Sequence, residues 1–104
     1  MSFSIYILYS EKADRYYVGQ TSNLNKRLFD HNHPVVNSKY TSKYIPWKLC
    51  FSVYVSEERG DAVKVEQFIK KQKSRLFLQK IIQSGSDPSF IQKMIGNILC
   101  RKNR

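Results

Sequence analysis

Residues 3–20, FSIYILYSEKADRYYVGQ, hold two runs of β-branched and aromatic residues separated by a polar break. Phe3 to Tyr9 and Tyr16 to Gln20 each have the composition of a strand. The five residues Glu11-Lys12-Ala13-Asp14-Arg15 are few enough to join them as an antiparallel hairpin. Within the second run Tyr17 and Gly19 share one face, and the missing side chain of Gly19 leaves room for a ligand or another backbone to approach.

Downstream, Ser22 is a candidate cap for a helix from Asn23 to about Asn32, with Leu24 and Leu28 one turn apart facing inward. His33 to Pro46 contains two prolines and many polar residues and reads as a loop, with Lys39, Tyr40, Lys43 and Tyr44 interleaving cations and aromatics. In Trp47 to Val55, the residues Trp47, Leu49, Phe51, Val53 and Val55 alternate with Lys48, Cys50, Ser52 and Tyr54. That period of two predicts a third strand with one buried face. Helices follow over Asp61 to about Gln72 and from near Ser74 to the Gly85 break, and Asp87-Pro88 opens a last one. The order predicts an α+β fold: a three-stranded antiparallel sheet flanked by helices, with extra helices at the C-terminal end.

A chain of 104 residues buries one modest core. We expect a single domain over 1–104, with the core at about 3–82 and a helical basic tail at about 86–104. Apolar residues at 41% and aromatics at 13% suit a globular chain rather than a disordered one. No apolar run approaches the ~18 residues of a membrane span, and the first residues lack the features of a secretory signal. Cys50 and Cys100 stand apart without metal-ligand spacing, the usage of a reducing compartment, so a cytoplasmic location and two free thiols are expected. Eighteen Lys and Arg against eight Asp and Glu give a net charge of +10. From Val63 onward ten cations face only Glu66 and Asp87. The excess calls for a polyanionic partner, nucleic acid before an anionic membrane surface.

Glu66 is the most informative acidic residue. The expected inward stripe of its helix, at i, i+3, i+4 and i+7, is Ala62, Val65, Glu66 and Ile69, which places a carboxylate where an apolar side chain is expected. A carboxylate there is paired with a Lys or binds a hard cation such as Mg²⁺, which takes one or two carboxylates and completes its shell with water and phosphate. Arg27 and His31 lie at i, i+4 and project from one helix face, where one could clamp a phosphate and the other handle a proton.

Ile5-Tyr6, then Tyr17-Val18-Gly19, then Asn23-Leu24 with Arg27-Leu28 and His31, then a helix with Glu66, together resemble the GIY-YIG nuclease family. Lys39-Tyr40-Thr41 and the EQFIKK run from Glu66 to Lys71 are similar to its small stand-alone bacterial members, and the chain also resembles the nuclease domain of the excision-repair C subunit. The likeness runs from about Phe3 to Ile82. It implies a DNA endonuclease acting in repair or recombination, with one divalent cation, Mg²⁺ or Mn²⁺, on Glu66 and with Tyr6, Tyr17, Arg27 and His31 as the other catalytic residues. Ser4 stands where the motif name has Gly, and Gln20 where the repair nuclease has a Lys, which would remove one phosphate-binding cation. The repair nuclease's later asparagine has no counterpart.

Hydrolysis of a phosphodiester needs a polarised phosphate and an activated water. In the implied site Arg27 holds a non-bridging oxygen, and either Tyr17 or His31 orients or deprotonates the water. His31 ordinarily titrates near neutrality, whereas an unperturbed Tyr needs help from neighbouring charge. Lys39, Lys43, Lys70, Lys71, Lys73 and Arg75 are the expected nucleic-acid contacts. DNA is the expected partner, with RNA second, and a monomer the expected state. Two other readings compete: a non-catalytic basic module that binds nucleic acid on the same fold, and an adaptor for a protein partner.

Overall fold

The computed structural model describes residues 1–33, 44–86 and 88–100. Strands β1 (Phe3–Ser10), β2 (Arg15–Thr21) and β3 (Lys48–Ser56) form one antiparallel sheet in the order β2-β1-β3. Helix α1 (Leu24–His31) lies between β2 and β3 in sequence; α2 (Arg59–Lys71), α3 (Arg75–Gln83) and α4 (Pro88–Cys100) follow β3. This is the α+β architecture expected from the strand and helix patterns.

β1 is central and feeds both faces of the sheet. Phe3, Ile5 and Ile7 enter the main core with Val18, Val55, Ala62, Val65, Ile69 and Ile81. Tyr6 and Leu8, on the opposite face, join Trp47 in a smaller cluster against which Tyr17, Leu24 and Leu28 pack. The period of two that makes β1 a strand is therefore what separates a scaffold layer from an aromatic layer.

β3 departs from its expected pattern. Phe51 pairs with Ile7, but Leu49 pairs with Leu8, so the register shifts at Cys50. The extra residue of this bulge turns the rest of the strand over. Leu49 moves to the Leu8 face and Trp47 joins the aromatic cluster, instead of sharing one buried face with Phe51, Val53 and Val55.

Two helix ends also differ from expectation. The cap of α1 is Asn23, whose side chain accepts from Lys26 N at 3.1 Å. Ser22 is passed over because Thr21 Oγ1 accepts from Asn23 N at 3.0 Å and delays the turn by one residue. At the other end of the chain α4 is no appended tail: Ile91 and Ile95 are buried in the main core, and Phe90, Met94, Ile98 and Leu99 pack against it. Its apolar residues recur at helical spacing and dock that stripe on the core. Within 88–100 the one cation is Lys93; Arg101, Lys102 and Arg104 lie outside the described residues. No helix among the described residues is long and apolar enough to cross a membrane.

Candidate active site

The aromatic face of the sheet and the inner face of α1 meet around Tyr6. Its phenol oxygen lies 3.1 Å from His31 Nε2 and also accepts a hydrogen bond from the Arg27 guanidinium. A guanidinium only donates, so the phenol oxygen is the acceptor towards Arg27, while the buried imidazole holds the phenol through Nε2. Arg27 and His31 share a helix face as their spacing requires, and that face is the one turned to the sheet. Tyr17 stacks beside Tyr6, with ring centroids 6.3 Å apart, and tilts against His31 at 4.7 Å.

Gly19 sits directly opposite Tyr6 in the β1–β2 ladder. The space left by its missing side chain is filled by the Tyr6 ring, since a Cβ there would stand 2.6 Å from Tyr6 Cζ. The room expected for a ligand is thus spent on positioning the phenol.

Asn32 fixes the end of α1 to the start of β3. Its side-chain amide donates to Trp47 O at 3.0 Å, and its carbonyl accepts from Trp47 N at 2.5 Å. This holds His31 under the indole, with ring centroids 6.4 Å apart, while Tyr17 meets the same indole at 6.1 Å. Neither Asn32 nor Trp47 was legible as part of the site, because they stand 15 positions apart in sequence and no local pattern links them.

Burial sets the charge states. His31 is only 4% exposed. Desolvation, reinforced by the nearby Arg27 charge, lowers its pKa to about 4. It is therefore neutral at physiological pH, and the match to neutrality expected of it does not hold. Burial likewise pushes the Tyr6 phenol up, against the opposing pull of Arg27. Arg27 is held more firmly in its charged form, first by its hydrogen bond to Tyr6.

Glu66 is half-buried on α2, and its Oε2 accepts from Lys70 Nζ at 2.6 Å. Lys70 in turn lies 5.8 Å from the Tyr17 ring centroid, and the Glu66 charge contributes to raising Tyr6. The i, i+4 spacing of Glu66 and Lys70 carried this pair in the sequence. Among the described residues no group of three or more His, Cys, Asp or Glu could cage a metal. A lone carboxylate fits a hard, largely hydrated cation such as Mg²⁺ or Mn²⁺ that takes its remaining oxygens from water and phosphate, and does not fit a zinc site.

The expected nucleic-acid contacts divide. Lys70 stands at the site, Lys71 is exposed at the end of α2, and Lys73 follows with a left-handed backbone (φ 47°). Arg75 is committed to the hairpin tip: it donates to Asp14 O at 2.9 Å, pairs with the Asp14 carboxylate and covers the Tyr16 ring. Lys39 and Lys43 lie outside the described residues. Gln20 pairs with Ile5 and so faces the helical layer, where it accepts from Arg59 at 3.2 Å. Its identity therefore subtracts no cation from the aromatic cluster.

A family model described as the GIY-YIG catalytic domain matches residues 2–81. No curated protein matches the chain.

Proposed function

The chain belongs to the GIY-YIG family of nuclease domains, and on that premise we propose that it is an endonuclease hydrolysing phosphodiester bonds in DNA, in repair or recombination. The observation that supports this most is the convergence of Tyr6, Tyr17, Arg27 and His31 in one cluster, with the Glu66 carboxylate close enough to bear on the Tyr6 phenol.

In this reading Glu66 would hold one Mg²⁺ or Mn²⁺. When bound, that ion supplies Lewis-acid polarisation of the phosphate and charge for the leaving oxygen. The remaining work falls to the protein. Arg27, kept charged by Tyr6, offers donors to a non-bridging oxygen. Tyr17 is the better candidate to orient the attacking water, because it is half-exposed whereas His31 is buried and neutral. His31 then acts through Tyr6, fixing the phenol by the hydrogen bond at 3.1 Å. Lys70 pairs with Glu66 and lies beside the Tyr17 ring, so with a cation held on Glu66 its ammonium would be placed to meet a phosphate.

The test is cleavage of a panel of duplex, single-stranded and branched DNA, with RNA alongside, in Mg²⁺ and in Mn²⁺. Metal-dependent products that disappear in Glu66→Gln support the reading. A panel left intact by a folded protein under all conditions overturns it. The closed Glu66–Lys70 pair is what favours the second reading, a non-catalytic nucleic-acid binder. That reading predicts binding unaffected by Glu66→Gln and no cleavage of any substrate.

A further inference from the structure

β2 is an edge strand, and among the described residues nothing pairs with its outer side. Along that edge runs an open groove of about 650 Å³, closed on the far side by the end of α2 and the start of α3. Its walls carry Arg15, Lys70, Lys73 and Arg75 against the single carboxylate of Asp14. Arg75 and Asp14 satisfy each other, whereas Arg15 and Lys73 enter no ion pair among the described residues. Val18, Ile69 and Leu78 contribute apolar surface to the same lining.

The groove is continuous with the candidate active site. Tyr17 and Lys70 belong to both; Glu66 and Lys70 stand at i, i+4 on α2, and Lys73 follows just beyond the end of that helix. Four residues of helical rise, about 6 Å, carry the helix from the carboxylate to Lys70 at the groove.

We propose that this groove binds an unpaired stretch of the nucleic-acid strand next to the scissile phosphate, with Arg15, Lys70 and Lys73 on its backbone and the apolar lining under a base. The inference rests on the endonuclease reading above and adds the form of substrate it takes. Charge selects the class of occupant, since three cations facing one channel suit successive phosphates better than any neutral ligand. Size selects its form. A cleft of this volume holds a ligand of about drug size, the bulk of one or two nucleotides, and a duplex is too broad to enter it. A strand whose base lies on the groove's apolar lining has therefore left its complement.

The test measures binding without turnover. Fluorescence anisotropy in EDTA compares a single-stranded DNA decamer with a blunt duplex of the same sequence. The proteins are the unsubstituted chain, Arg15→Gln, Lys73→Asn and a control, Lys26→Gln, on the exposed side of α1. Asn suits the left-handed backbone at 73, and melting curves confirm that each variant folds. We expect each groove variant to bind the decamer at least about fivefold more weakly and the control to be unchanged. Each groove variant should also lose about 0.7 from the salt slope. Unchanged decamer affinity in both groove variants overturns the proposal, and so does an equal loss for the duplex. Displacement of the decamer by a poly-glutamate peptide as readily as by unlabelled decamer overturns it too, because the groove is then an acidic-peptide site. Cleavage is scored separately: cleavage that persists while the groove variants bind normally removes the groove and leaves the endonuclease. Groove-dependent binding by a protein that cuts nothing retains the groove and removes the endonuclease.

Discussion

Tyr6 lies across Gly19, and the two residues face each other in the hairpin so closely that a methyl group on the glycine would stand 2.6 Å from Tyr6 Cζ. Overpacking of this kind costs about 1–3 kcal/mol, and here it falls on the side chain that Arg27 and His31 hold. Gly19→Ala is expected to lower stability by that amount and to reduce cleavage at least about tenfold. Removing the hydroxyl in Gly19→Ala with Tyr6→Phe should restore part of the stability and none of the activity. Denaturant melts and single-turnover rates of the four proteins in this cycle check the coupling. Additive stability losses would show that the glycine and the phenol do not meet.

His31 predicts an acid-side loss of stability. Its pKa is about 4 in the folded protein and near 6.5 when exposed, so the unfolded chain binds a proton that the folded chain refuses. Stability is complete above about pH 6.5, falls as the pH drops, and is lost by this route below about 4. The total is of order 3 kcal/mol. His31→Gln, which keeps a polar atom near the phenol but does not titrate, should flatten that part of the profile. Urea melts from pH 4 to pH 8 measure it, and an identical slope in the variant would clear His31 of the effect.

Activity should carry no His31 titration near neutrality. Single-turnover rates plotted against pH are expected to show no limb at about 6.5 that Gln at position 31 removes. Such a limb would mean that the imidazole is reached by solvent during the reaction and acts on the water itself.

Lys70 and Glu66 make opposite predictions for metal binding. Lys70→Met removes the ammonium at 2.6 Å from the carboxylate and should tighten Mn²⁺ binding about two- to tenfold, since an i, i+4 helical pair contributes only about 0.3–0.5 kcal/mol and the like-charge repulsion disappears with it. Glu66→Gln should abolish specific Mn²⁺ binding while its melting temperature stays close to that of the unsubstituted protein. Calorimetry without nucleic acid reads both. Equal Mn²⁺ affinity in all three proteins would place the cation elsewhere.

Arg27 and Arg75 should fail in different ways. Loss of a donor to the developing charge typically costs on the order of 10²–10³ in rate, so Arg27→Ala should cut turnover at least about a hundredfold while affinity stays within about tenfold. Arg75 ties the hairpin tip to the start of α3 through Asp14. Arg75→Ala should lower the melting temperature and leave turnover at saturating substrate nearly unchanged. A loss of affinity alone in both variants would make Arg27 one more binding cation.

The hairpin, the helix after it and the half-buried Glu66 were readable because each is a local pattern: strand composition, i, i+4 spacing and a carboxylate on an apolar stripe. What stayed hidden was set by contacts between distant segments. The bulge at Cys50 leaves the alternation of β3 intact as text and reverses it in space, and only the pairing with β1 exposes this. Arg75 looks like one more cation for nucleic acid until the turn at Asp14 is seen beside it. The titration of His31 depends on burial beneath Tyr17 and Trp47, and those three come from separate segments of the chain.

The family match ends at residue 81, but the core does not. Ile91 and Ile95 of α4 are 2% and 5% exposed, and they pack in the same cluster as Val65, Ile69 and Ile81. The family match and the packed core therefore draw different borders around this molecule. A graft that carried only the homologous stretch to another protein would expose a greasy seam along α2 and α3, and the recipient would have to supply a surface shaped like α4. As a portable cassette, the protein travels with its last helix.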